Sequence, residues 1–83
     1  VKRLRQKIDG IDRQILRLLA RRKSVSLLIA RAKKQKGLKP FDPTRERTMK
    51  RSLVAQGKAL GLSALLVNRL FTLILAESRR LQR

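Results

Sequence analysis

The sequence predicts an all-α fold of three helices, the first disproportionately long. Three observations carry this prediction. Apolar residues recur at alternating steps of three and four. Paired stop and start signals divide the chain between Gly37 and Asp42 and again between Gly61 and Ser63. No stretch alternates with the two-residue period of a half-buried strand.

The first helix follows from the positions of Leu4, Ile8, Ile11, Ile15, Leu18, Val25, Ile29 and Ala32, with Arg22 filling the one remaining slot. That is a heptad seam, and it predicts a single helix from residue 2 to about residue 36. Gly10 inside it costs about 1 kcal/mol relative to alanine without ending it, whereas Gly37 and Pro40 end it. Asp42 then serves as N-cap and Pro43 as first helical residue of a second helix, with Met49, Leu53 and Leu60 as its buried stripe and Gly61 as its stop. Ser63 caps a third helix running through Leu81, whose apolar face carries Leu66, Val67, Leu70, Phe71, Ile74 and Leu75.

The length of the first helix has a consequence. About 35 helical residues span about 52 Å, whereas a compact globule of this chain length has a radius of gyration of about 12 Å. The helix must overhang its own domain, and an overhang that carries an apolar seam needs another chain. A two-fold homodimer with antiparallel, intertwined (helix-swapped) first helices is the simplest closed solution.

Composition narrows the chemistry. The 83 residues support one small domain, residues 1–83. A domain of this size buries only about 60% of its unfolded surface, so a partner chain helps it. The hydrophobic fraction of 42% suffices for a core and argues against a disordered basic tail, and with two Phe and no Trp or Tyr that core is aliphatic. The absence of Cys and His removes disulfides, thiol nucleophiles, zinc sites and histidine triads. Catalysis is left to Arg, Lys, carboxylates, hydroxyls and amides, with no metal. No run approaches the roughly 18 apolar residues of a membrane span, the longest candidates being Leu60–Val67 and Leu70–Ala76. With no signal-peptide pattern, a cytoplasmic setting is expected. The chain opens on Val1 rather than Met, compatible with a piece cut from a longer precursor or a multidomain protein.

Several polar residues sit where the pattern does not want them. Arg22 occupies the seam, where an unpaired charge is costly. A buried ion pair and an anionic ligand stand level as explanations, although only five acids exist to supply the pair. Arg5 and Lys33 share a heptad line flanking the seam. Along one helix Arg5 lies about 26 Å from Arg22 and about 42 Å from Lys33, too far to serve one small ligand. Antiparallel pairing about an axis near residue 16 brings the partner's copy of that arginine opposite the stretch between Arg22 and Lys33. The plainer reading makes both residues solvated flank cations. Asp42, Arg45 and Glu46 share one face of the second helix, which a cap and a local ion pair explain adequately. Ser78 and Gln82 lie one turn apart on the third helix, where back-bonding to a carbonyl and a fraying end are the commoner explanations.

Taken together, from Leu4 to Gln82, the chain resembles the all-α class of chorismate mutases. The segments that carry the resemblance are Leu4-Arg5-Gln6-Lys7-Ile8-Asp9 with Ile11-Asp12, Leu18-Leu19-Ala20-Arg21-Arg22, Ala32-Lys33, Asp42-Pro43-Thr44-Arg45-Glu46, Gly61-Leu62, and Leu70-Phe71 with Ser78 and Gln82. No single piece is specific; the set of eight polar positions is. The resemblance implies an intertwined homodimer in which each site borrows one arginine from its partner. It also implies the Claisen rearrangement of chorismate to prephenate, a step toward phenylalanine and tyrosine. Such a pericyclic reaction needs no nucleophile, metal or cofactor. Carried over by position, Arg5 from across the interface and Arg22 would grip the substrate carboxylates, and Lys33 and Gln82 would donate to the breaking ether oxygen. Glu46 would accept from the ring hydroxyl, Asp42 and Arg45 would organise that edge, and Ser78 would assist carboxylate binding.

The chain departs from the family at Arg13, Arg17 and Arg21, where members commonly carry acids or neutral residues. These arginines are spaced one turn apart and repel one another by a few tenths of a kcal/mol per pair. Isochorismate pyruvate lyase, on the same fold, is the nearest rival, but the Asp42, Arg45 and Glu46 face matches the mutase pattern better. From another class, 23 Lys and Arg against five acids give a formal charge of +18 and suggest a nucleic-acid binder. The lack of stacking aromatics and of a recognised binding motif reduces this to nonspecific polyanion contact by a basic shell.

Overall fold

In the computed structural model, which describes residues 1–82, the second and third helices begin at side-chain caps, whereas the first starts after Val1 without one. The order is α1 (Lys2–Gln35), α2 (Pro43–Ala59) and α3 (Ala64–Leu81), with no strand among the described residues. The Asp42 side chain accepts from the Arg45 backbone N–H at 3.1 Å, and Ser63 Oγ accepts from that of Leu66 at 3.1 Å, so both expected caps are in place. α1 and α2 end in Schellman turns. Leu38 N–H donates to the Lys33 carbonyl and Leu62 N–H to that of Gly57, each at 2.8 Å. The glycines between, Gly37 and Gly61, have φ of 69° and 82°, the left-handed region in which a Cβ is strained.

α2 and α3 form an antiparallel hairpin in which Gly57 packs against Val67. A Cβ placed there would lie 2.5 Å from Val67 Cγ2, and Val67 is itself buried. The strain of forcing that contact, about 1–3 kcal/mol, outweighs the roughly 1 kcal/mol of helix propensity gained. Gly57→Ala is therefore expected to lower the melting temperature, and a thermal melt checks it.

The buried stripe of α2 differs from expectation at one end. Met49 and Leu53 are half-buried, but Leu60 is 78% exposed. Leu60 is the C-cap of α2, and the turn into Gly61 swings its side chain away from the hairpin; Val54 and Gly57 take the inward positions. On α3, Val67 and Leu75 are buried and Phe71 and Ile74 half-buried, whereas Leu66 and Leu70 are exposed. The hairpin covers only one side of this apolar face.

α1 lies against α3 through its C-terminal half, where Arg22 donates to Ser78 and Ser26 is buried. Every residue from Lys2 to Arg21 is exposed except Gly10. The seam residues Leu4, Ile8, Ile11, Ile15 and Leu18 are all roughly half exposed or more. The overhang is as expected: the molecule measures 53 × 24 × 16 Å, with a radius of gyration of 15.5 Å.

Candidate active site

Three helical faces converge beside the start of α2 and enclose a cleft of about 120 Å³. α1 contributes Arg22, Ser26, Ile29 and Lys33, whose steps of three and four place them on one face. The connection to α2 contributes Pro40 and Asp42. α2 adds Arg45, Glu46 and Met49, and α3 adds Leu75, Ser78, Arg79 and Gln82. Four cations thus face two carboxylates, with Ile29, Met49 and Leu75 as the apolar part of the lining.

Seven of the eight residues singled out from the sequence line this cleft: Arg22, Lys33, Asp42, Arg45, Glu46, Ser78 and Gln82. Arg5 does not; it sits exposed on the projecting part of α1. Arg22 Nη1 donates to Ser78 Oγ, and no carboxylate pairs with Arg22 among the described residues. Among the described residues its seam position is thus met by a hydroxyl rather than by an ion pair. Ser78 also donates back to the Ile74 carbonyl at 3.2 Å, so it both closes a local bond and faces the cleft.

Lys33 Nζ donates to the Pro40 carbonyl at 3.2 Å. An ammonium has three donors, so this bond fixes the side chain while leaving others to point into the cleft. Gln82 is the C-cap of α3, its backbone N–H shared between the Ser78 and Arg79 carbonyls at 3.1 Å each. Asp42 fulfils its capping role, but the expected local partner of Glu46 is replaced by a distant one. Arg79 Nη1 donates to Glu46 Oε1 at 2.5 Å, and the Arg79 guanidinium lies 5.0 Å from the centroid of the Phe41 ring. Arg79 was not among the sequence candidates. The signal for it was present: it follows Leu75 by four residues and precedes Gln82 by three, so it shares their face.

Across the α1–α3 contact from this cleft runs an apolar groove of about 420 Å³, lined mainly by Leu19, Ala20, Leu70, Leu73, Ile74 and Leu81. Glu77 stands at its edge, where hydrogen bonding from Arg80, reinforced by the charges of Arg80 and Lys23, holds its carboxyl below the usual carboxylate range. No described helix is long and apolar enough to cross a membrane.

The fold and the cleft define a small all-α protein with a cation-rich cleft between its three helices. The family model described as chorismate mutase type II matches residues 4–83, and the chain belongs to that family. It is 37% identical over 75 residues to the bifunctional chorismate mutase/prephenate dehydratase of Enterobacter agglomerans, and equally so to that of Escherichia coli K12, each match covering 90% of this chain and 19% of the relative. The T-protein of Haemophilus influenzae is 31% identical over 78 residues, or 94% of this chain and 21% of that protein. The chain thus spans about a fifth of the length of the curated relatives it matches.

Proposed function

We propose that residues 1–83 form a single chorismate mutase domain that rearranges chorismate to prephenate in a cytoplasmic setting. The observation that carries this reading is the convergence of Arg22, Lys33, Asp42, Arg45, Glu46, Ser78 and Gln82 on one cleft. In the rearrangement an ether C–O bond breaks as a C–C bond forms, with no proton transferred and no covalent enzyme intermediate. The protein's task is to hold a compact conformation and to meet negative charge growing on the ether oxygen. Lys33 and Gln82 are the donors to that oxygen. Arg22, oriented by Ser78, binds a carboxylate, and Glu46 accepts from the ring hydroxyl at the edge organised by Asp42 and Arg45.

The second carboxylate falls to Arg5 of another copy. The proposed assembly is a helix-swapped homodimer in which the exposed α1 seam and the apolar groove beside Leu70 and Leu73 are covered by the second chain. It is supported by the continuity of that seam beyond the hairpin and by the distance that keeps Arg5 out of its own cleft. Incubating pure protein with chorismate tests the activity: prephenate should accumulate at protein concentrations that sustain the dimer. Its absence there rejects the reading, and release of pyruvate from isochorismate would favour the lyase instead.

Among the described residues, the ion pairs engage only Arg79 and Arg80 of the Lys and Arg side chains. The rest of the basic shell repels itself while drawing in anions. Moderate salt is accordingly expected to raise the melting temperature and to weaken substrate capture, seen as a rise in KM. A melting temperature indifferent to salt would exclude the self-repulsion.

A further inference from the structure

Arg79 has no part in the reaction as drawn, yet it joins three parts of the cleft. Its guanidinium pairs through Nη1 with Glu46 Oε1 at 2.5 Å and lies over the Phe41 ring, 5.0 Å from its centroid. A planar guanidinium can do both at once, because the fork of N–H donors lies in the plane and the stacking face lies across it. The neighbouring residue Pro40 is held from the other side by Lys33 Nζ at 3.2 Å. The Pro40-Phe41 segment is thereby tied to α1 through Lys33 and to α3 through Arg79.

Without Arg79, Glu46 would be a flexible carboxylate in a cleft that also holds Arg22, Lys33 and Arg45. Charge-assisted pairing with any of them is favourable. Pairing with Lys33 would divert the ammonium from an incoming oxygen and the carboxylate from an incoming hydroxyl. Arg79 occupies Oε1 and leaves Oε2 as the free acceptor.

We propose that Arg79, backed by Phe41, is a positioning residue that holds Glu46 away from Lys33 and aims its second oxygen at the substrate's ring hydroxyl. This rests on the mutase reading of the cleft. Arg79 acts through Glu46, so its effect should vanish where Glu46 can no longer respond.

The test is a double-mutant cycle on kcat/KM for chorismate, with thermal melts alongside. Arg79→Gln is expected to lower kcat/KM about ten-fold. The loss should fall on kcat, through the diverted Lys33, as well as on KM, through the misplaced acceptor for the hydroxyl. Arg79→Lys should recover part of the loss, and Phe41→Leu should produce a smaller loss in the same direction. In a Glu46→Gln background, Arg79→Gln should cost less than about two-fold more. A kcat/KM for Arg79→Gln at or above that of the unmodified protein, or an equal loss in both backgrounds, overturns the proposal while leaving the mutase reading intact. An unmodified protein that makes no prephenate overturns both. Should Arg79→Gln fail to fold, Arg79→Lys and Phe41→Leu, measured in both backgrounds, decide by the same criterion.

Discussion

Replacing Lys33 with alanine is expected to reduce kcat by about 10²- to 10³-fold, the usual cost of removing one preorganised donor from a developing oxyanion. The loss should be catalytic rather than structural. Lys33 is half-buried, and its one internal bond, to the Pro40 carbonyl, is exposed, so the melting temperature should stay within a few degrees. The substitution also removes one of four cations from the cleft, so KM should rise as well. Steady-state kinetics beside a thermal melt separate these effects, and a kcat within ten-fold of the parent would remove Lys33 from its assigned role.

Mixing two inactive variants is expected to restore activity. Arg5→Ala and Lys33→Ala damage opposite contributors to each proposed site. With random exchange half of the dimers are mixed, and each mixed dimer has one site of its two intact, so the mixture should reach about a quarter of normal activity. The prediction depends on the isolation of Arg5 from its own cleft, which the unbroken run of α1 over 34 residues imposes. Exchange can be verified independently with differently tagged chains. Demonstrated exchange without recovery would reject the shared site.

Much of the fold was legible because its punctuation is chemical. Asp42-Pro43, Ser63, Gly37 and Gly61 each act on the backbone within a few residues of themselves, so their effects can be read from neighbours alone. Leu60 misled because the helical period continues through it, while the C-cap geometry that turns it outward begins at the same residue. Leu66 and Leu70 belong to the apolar face of α3 as expected, but one hairpin partner cannot cover that whole face. In the cleft, Arg22 stood out because it interrupts an aliphatic seam. Arg79 did not, because beside Arg80 near the chain end it reads as one more solvated cation. Its partner Glu46 lies 33 residues earlier, and a pairing at that separation is decided by packing rather than by local pattern.

The division between a locally closed hairpin and an overhanging helix also sets an order of events in time. α2 and α3 are joined by the short turn between Ala59 and Ala64, so their mutual contacts require little chain closure and can form quickly. α1 finds no comparable partner nearby for its first half. In the proposed dimer it must wait for an encounter between two chains. Refolding should therefore separate into a fast phase indifferent to protein concentration and a slower one whose rate rises with it.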